Sequence, residues 1–272
     1  MLCHKVEDQM EKEALFTGVA NRERGITLKS PREIESMRQA GKVVAQTIAT
    51  LLEAIRPGMK TSDLDDIAFQ HIQSLGAKPS FKGYMGFPCT ICVSVNDEIV
   101  HGIPGDKVLR DGDLVSLDVG AVVEGFHGDS AVTVGVGDIS PEVTKLIDVT
   151  REALGRGIAA ATHGSRLGDI GWAVQSFVEG KGYSVVREYV GHGIGRALHE
   201  EPQVPNFGTP GSGAMLRKGM VIAIEPMVNI GGWQTRALED NWTVVTADGS
   251  LSAHFENTLL ITEGDAEVLT RV

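Results

Sequence analysis

Residues 113–134 read DLVSLDVGAVVEGFHGDSAVTV, and this stretch decides the fold. Residues 114–122 are apolar and rich in β-branched side chains. Residues 130–134 resume the pattern, so both runs read as strands, and Glu124-Gly125 between them is a turn signal. Two acids interrupt the apolar runs, Asp118 and Asp129. A two-residue loop at Glu124-Gly125 sets Asp118 opposite Ala131. Asp129 is then two residues along on the same face, a diagonal neighbour of Asp118. A turn shifted by one residue sets the two acids face to face. Either register places two carboxylates on one face of a mostly apolar hairpin. Buried like charges repel, so they protonate, pair with a base or bind a cation. The alternative is an exposed polar face.

The pattern recurs near the C-terminus. LRDGDLVSLDVG (109–120) resembles LRKGMVIAIEPM (216–227), which sets Asp118 on Glu225. Asp129, followed by SAVTVGVG, falls on Glu256, followed by NTLLITEG. Upstream, GMKTSDLDDIAFQHIQSLG (58–76) matches GSRLGDIGWAVQSFVEGKG (164–182) without a gap, Asp63 on Asp169. Three matches in one order imply two similar halves that each supply two acids. A pseudo-twofold arrangement brings all four acids to the middle.

The 272 residues suffice for one large domain or two small ones. Hydrophobic content of 42% and charged content of 22% are ordinary globular values. A net charge of -11 argues against a general binder of nucleic acid or anionic membrane. The three cysteines, Cys3, Cys89 and Cys92, make no disulfide framework and suit a reducing compartment. Cys89-Thr-Ile-Cys92 is a lone C-x-x-C without the second pair that a zinc site needs, which favours packing or pocket lining. No apolar run reaches membrane-spanning length, and the charged first 25 residues lack the apolar region of a secretory signal. The expected location is cytoplasmic. Residues 1–25 read as an N-terminal arm, a short helix or disordered, in which Cys3-His4 is either a ligand pair or part of a flexible terminus. Residues 26–272 read as a single domain.

Ser30-Pro31-Arg32-Glu33 marks a helix start running to about Arg56, where Pro57-Gly58 stops it. Ser62 or Asp63 caps a second helix through about Leu75, with His71 on its surface. Residues 81–104 form an aromatic, glycine-containing loop and a strand, with a turn at Asn96-Asp97 and His101 just beyond. His127, close to Asp129, is a ligand or a hydrogen-bond partner of a carboxylate. Helices begin at Pro141, running to about Thr162, and at Asp169, ending near Gly182. Residues 183–190 are a strand. Residues 191–206, GHGIGRALHEEPQVPN, carry His192 and His199 among glycines that permit close backbone approach. A histidine flanked by glycines at a strand end has little packing reason to be there, so His192 is a ligand candidate. Residues 220–228 and 252–261 are the last core strands, carrying Glu225 and Glu256. Asp118, Asp129, His192, Glu225 and Glu256 make an oxygen-rich set with one imidazole, suited to two ions of Mn, Fe, Co or Zn. Ions about 3.5–4 Å apart share a water and lower its pKa toward 7, which makes a nucleophile at neutral pH.

From about Ile26 to Val272 the chain resembles type I methionine aminopeptidase. The resemblance rests on the order Asp, Asp, His, Glu, Glu, on SLDVG, FHGDSAVTV and IEPM, and on GHGIGRALHEEP. It implies an α+β, pita-bread fold, with a curved antiparallel sheet, outer helices and an internal pseudo-twofold repeat. It implies removal of the initiator methionine from nascent proteins whose second residue is small, by hydroxide activated at two divalent metals (Co, Mn, Fe or Zn). In that scheme Asp118 chelates one ion, His192 ligates the other, and Asp129 and Glu256 span both. Glu225 is a ligand and the proton shuttle. His199 hydrogen-bonds the scissile carbonyl and its oxyanion, and His101 contacts the scissile amide or the leaving group. Tyr84, Phe87, Cys92, Leu198 and Trp242 match the methionine side-chain pocket, where aromatic and sulfur contacts suit a thioether. Asn96 and Ser252 match loops that hold a monovalent cation, Na or K. The partners implied are N-termini of nascent polypeptides, with the ribosome near its exit tunnel, and neither membrane nor specific nucleic acid; the expected state is a monomer.

Two residues depart from the family pattern at the expected pocket. Leu198 stands where phenylalanine is common, and Val100 where cysteine is common. The arm lacks the paired Cys/His spacing of the zinc-binding extension some relatives carry. Prolidase and X-Pro aminopeptidase share the fold and the five ligands, with a large additional N-terminal domain that 25 residues cannot supply. A non-catalytic pita-bread binding module loses ligands, and a two-metal phosphoesterase wants basic residues, of which the GHGIG and IEPM contexts are nearly free.

Overall fold

The computed structural model describes residues 25–271, so the expected arm, up to Arg24, lies outside the described residues. Helix α1 (Pro31–Ala54) starts as the sequence predicts. Ser30 Oγ accepts from Glu33 N (3.4 Å) and Ser30 N donates to Glu33 Oε2 (2.9 Å). Its apolar stripe, Met37, Val44, Ile48 and Leu51, is buried. Helix α2 (Thr61–Ser74) begins earlier than expected, because Asp63 is an N3 residue that accepts from Lys60 N (2.8 Å). The other half repeats both features. Helices α3 (Pro141–Ala160) and α4 (Leu167–Gly180) follow, and Asp169 accepts from Arg166 N (2.7 Å). His71, expected at the surface, is half-buried, with its Nδ1 3.3 Å from Thr50 Oγ1.

The strands of the first half are β1 (Lys78–Pro79), β2 (Cys92–Val95), β3 (Glu98–Val100), β4 (Leu114–Val123) and β5 (Phe126–Gly135). Those of the second are β6 (Ser184–Val185), β7 (Gly191–Gly193), β8 (Glu200–Val204), β9 (Val221–Ile224) and β10 (Met227–Asn229). After them come β11 (Thr235–Ala237), β12 (Val244–Thr246), β13 (Ser252–His254), β14 (Asn257–Leu260) and β15 (Glu267–Val268). All pairings between them are antiparallel.

The β4–β5 hairpin takes the register of a Glu124-Gly125 loop, with Asp118 opposite Ala131 and Gly120 opposite Asp129. Both loop residues have positive φ, 51° and 79°, the type I′ geometry whose twist matches the strands it joins. The expected strands at 220–228 and 252–261 are each broken in two. Pro226 has no N–H to give to a ladder, and the break isolates Glu225 between β9 and β10. Facing it, Phe255 N donates to Pro226 O (3.2 Å), and Glu256 sits between β13 and β14. Only Ser184–Val185 of the expected strand at 183–190 is extended in a ladder.

Each half has its own apolar core. In the first, β2 and β4 pack under α1 and α2 through Val93, Val115, Leu117 and Leu64. In the second, β9 and β14 pack under α3 and α4 through Ile222, Leu259, Leu146 and Ile170. Full burial of one such side chain contributes about 1.5–3 kcal/mol. The halves meet where β5 runs beside β14. Ala131 and Glu256 exchange backbone hydrogen bonds (3.3 and 2.9 Å), and Thr258 Oγ1 bonds both N and O of Asp129 (3.0 and 2.8 Å). The offset that carries Asp129 onto Glu256 also carries Ala131 onto Thr258. The two contacts are therefore images of each other, and a pseudo-dyad passes between Ser130 and Asn257, whose side chains touch at 3.3 Å.

Candidate metal centre

At this seam the fold gathers the four acids. Asp118 is on β4 and Asp129 on β5. Asp118 pairs across the ladder with Cys92 on β2, and each of the two acids is among the causes that shift the other's pKa. Glu225 and Glu256 come from the two strand breaks. His192 is on β7, a strand held tightly between β8 and β9. A Cβ on Gly191 would stand 2.3 Å from Ala223 O, and one on Gly193 2.2 Å from Glu201 O. The two glycines thus let β7 pass between its neighbours with the imidazole directed at the acids. His192 Nδ1 donates to Gly193 O (2.9 Å), leaving Nε2 with a free lone pair 3.6 Å from Glu225 Oε1.

The electrostatics are those of a cluster lacking compensating positive charge. Burial pushes Asp118 up to about 7. Burial, together with the neighbouring carboxylates, pushes Asp129, Glu225 and Glu256 well above the usual carboxylate range. Burial pulls His192 down to about 3 and keeps it neutral. Asp118 Oδ1, Asp129 Oδ1 and Glu256 Oε1 are buried without hydrogen-bond partners. Orphaned buried oxygens of this kind demand an explanation, and oxygen-rich donors with one imidazole fit divalent ions. Asp129, His192 and Glu256 offer ligand atoms within 4.8 Å of one another, as do Glu225, His254 and Glu256.

His254 was missed by the sequence reading. It is 2% exposed, with Nε2 3.9 Å from Glu225 Oε2 and 3.8 Å from Glu256 Oε2. Strand alternation was the available signal: in SAHFENT, His254 stands two residues before Glu256, on the same face. His127, close in sequence to Asp129, bonds Ser80 Oγ through Nδ1 (2.9 Å).

The non-ligand residues also converge. His101 has φ 60°, and this left-handed turn after β3 sets its ring edge-on to Tyr189 (5.7 Å) and Trp242 (6.2 Å). Burial pulls its pKa down to about 4. His199 lies at the mouth, 4.3 Å from the His192 ring, and its Nδ1 is bonded by Tyr84 Oη at 2.8 Å. Tyr84 thus engages one nitrogen of His199, and no hydrogen bond from a described residue reaches the other. Tyr84, Phe87, Cys92, Leu198 and Trp242 share one apolar cluster, with Phe87 edge-on to Trp242 at 5.1 Å. Val100, expected at the pocket, packs instead in a separate cluster with Ile99, Val186 and Met227. Asn96, in the β2–β3 turn, and Ser252 are neighbours: Ser252 N donates to Asn96 O (3.0 Å). Ser252 starts strand β13 instead of lying in a loop.

Residues 35–263 match the model of metallopeptidase family M24. Over 247 residues the chain is 55% identical to methionine aminopeptidase 1 of Bacillus subtilis (strain 168), spanning 91% of this chain and 100% of the relative. The crystal structure of methionine aminopeptidase from Thermotoga maritima superposes with a TM-score of 0.90 at 50% identity, covering 91% of this chain and 100% of that one. Prolidase from Pyrococcus furiosus, at 24% identity, shares the fold alone, with a TM-score of 0.75 over 90% of this chain and 65% of that one. These likenesses bear out the α+β, pita-bread architecture. Among the described residues no helix is long and apolar enough to cross a membrane. The chain therefore belongs to metallopeptidase family M24 and, within it, to the methionine aminopeptidases.

Proposed function

We propose that this chain removes the initiator methionine from nascent proteins and peptides whose second residue is small. One observation carries the reading: Asp118, Asp129 and Glu256 have buried, unpartnered oxygens, and Asp118 stands across the ladder from Cys92, a member of the apolar cluster of Tyr84, Phe87, Leu198 and Trp242. Asp118, Asp129, His192, Glu225 and Glu256 would hold two divalent ions, of Mn, Fe, Co or Zn. When bound, such ions polarise a carbonyl and lower the pKa of a shared water toward 7.

The chain's own residues do the rest. Tyr84, Phe87, Cys92, Leu198 and Trp242 receive the methionine side chain and exclude a charged one, because nothing in the slot pairs a buried charge. Tyr84 donates to His199 Nδ1, so Nε2 carries the proton and donates to the scissile carbonyl as negative charge develops on its oxygen. Glu225 takes a proton from the attacking water on its carboxylate and returns it to the leaving nitrogen. His101, neutral in its buried setting, contacts the scissile amide. A bulky second residue displaces the carbonyl from His199, and small departures from near-attack geometry are costly. Asn96 and Ser252 mark the place for Na or K. The setting is cytoplasmic, with nascent N-termini at the ribosome as substrate and a monomer as the working state.

A peptide panel read by mass spectrometry tests the reading. Methionine should be released ahead of Gly, Ala or Ser and retained ahead of Leu, Lys or Arg. Equal cleavage of Met-Ala and Met-Arg peptides, or preference for X-Pro peptides, would defeat it.

A further inference from the structure

Glu225 and Glu256 each present two oxygens, and the structure gives them different surroundings. Glu225 Oε1 faces His192 Nε2 at 3.6 Å, and the two atoms are placed to share an ion. Glu225 Oε2 faces His254 Nε2 at 3.9 Å instead. Glu256 Oε1 is buried without a partner, and its Oε2 faces the same His254 nitrogen at 3.8 Å. Carboxylates that ligate metals need donors on their remaining oxygens, and such donors set ligand orientation. Glu225 Oε2 accepts no hydrogen bond from the described residues, and the His254 imidazole faces it at 3.9 Å.

His254 is built to stay where it is. Its N donates to Thr133 Oγ1 (2.8 Å), and Thr133 Oγ1 donates to its O (2.7 Å). It pairs with Met227 across β10–β13. Its Nε2 is buried and has no partner of its own. Closing from 3.8–3.9 Å to hydrogen-bond length needs a shift of about 1 Å.

We propose that His254 is a positioning residue of the metal centre, whose Nε2–H holds Glu225 Oε2 and Glu256 Oε2 and fixes both carboxylates for ion binding. The inference rests on the metal reading above, and it assigns His254 the part of donor, not of ligand. One experiment separates these. Wild type, His254→Leu and His254→Gln are stripped of metal and titrated with Co²⁺ by calorimetry. The visible spectrum of each cobalt form is recorded alongside kcat and KM.

Leucine fills the space without a donor and should weaken Co²⁺ binding about 10–100-fold. Glutamine reaches the same oxygens with an amide N–H and should bind within about threefold of wild type, well short of the roughly 10–100-fold loss expected when the donor is removed. Its cobalt spectrum should match that of wild type. Wild-type affinity in the leucine variant would overturn the inference. So would a glutamine variant that binds weakly and changes the spectrum, since the imidazole would then be a ligand. Were the leucine variant not to fold, the glutamine variant alone decides by the same two readouts. A wild-type protein that takes up no Co²⁺ would defeat the metal reading itself.

Discussion

Metal-free protein should lose stability as pH rises above neutrality, and metal-loaded protein should not. The four buried acids set the direction. Asp118 is pushed up to about 7, and Asp129, Glu225 and Glu256 stand well above the usual range. A group whose folded pKa is raised contributes stability that is full below its unfolded value and is lost as pH climbs through the folded one. Across that span each proton held only by the folded state costs about 1.4 kcal/mol per pH unit. Buried histidines act in the opposite sense. His101 is lowered to about 4, and His192 and His254 to about 3. Their contribution is full above the ordinary imidazole value and is lost as pH falls toward the folded one. Below about pH 6.5 the two sets oppose each other. Above about pH 7 histidines are neutral in both states, and the acids alone act. For a chain of this size 1 kcal/mol is about 2–4 °C in Tm, so one retained proton gives about 3–6 °C per pH unit. Divalent ions replace the protons and remove the slope. Differential scanning calorimetry from about pH 7 to 8.5, with chelator or with excess Mn²⁺, measures both curves; Asp118→Asn should flatten the chelator curve. A metal-free Tm that stays level or rises, or that falls equally with Mn²⁺ present, would refute the reasoning.

Asp118→Ala or Glu256→Ala should lower bound metal, measured by elemental analysis, and abolish turnover. His199→Ala should keep its metal and lower kcat about a hundredfold or more, the size expected for loss of an oxyanion donor. Tyr84→Phe keeps the aromatic wall but releases His199 Nδ1. It should lower kcat with little change in KM, and the ¹⁵N shifts of His199 should report a changed tautomer. Gly193→Ala forces a Cβ to 2.2 Å from Glu201 O and should cost about 1–3 kcal/mol in denaturant unfolding.

The hairpin at 113–134 was readable as two strands with both acids on one face, because an alternating face leaves little freedom; the choice between its two registers came with the structure. The repeat was readable because its acids, glycines and caps recur in order. What escaped was set by contacts distant in sequence. Residues 220–228 and 252–261 look continuous in apolar pattern, yet each breaks at its acid, one at Pro226 and the other against it. The extended run at 183–190 stops after Val185 because only β10 offers it a partner. The bond from Tyr84 to His199 joins residues 115 apart, which no local pattern encodes. His254 was passed over although its spacing to Glu256 was visible, since one histidine on a strand carries no signal until its neighbours are placed.

The pseudo-dyad between Ser130 and Asn257 relates the acids in pairs, Asp118 with Glu225 and Asp129 with Glu256. It does not relate the imidazole to another. Strand β2 stands to β4 as β7 stands to β9, and by that correspondence β2 carries Ser94 where β7 carries His192. Ser94 Oγ is engaged inward, accepting from Gly102 N at 3.1 Å. Two ions held across the dyad would therefore occupy unequal seats, one all oxygen and harder, the other with nitrogen and softer. Such seats fill one after the other, with different metal preferences, so titration should show two steps and mixed-metal occupancy should be attainable. A duplicated frame thus acquires a polarity from a single broken correspondence.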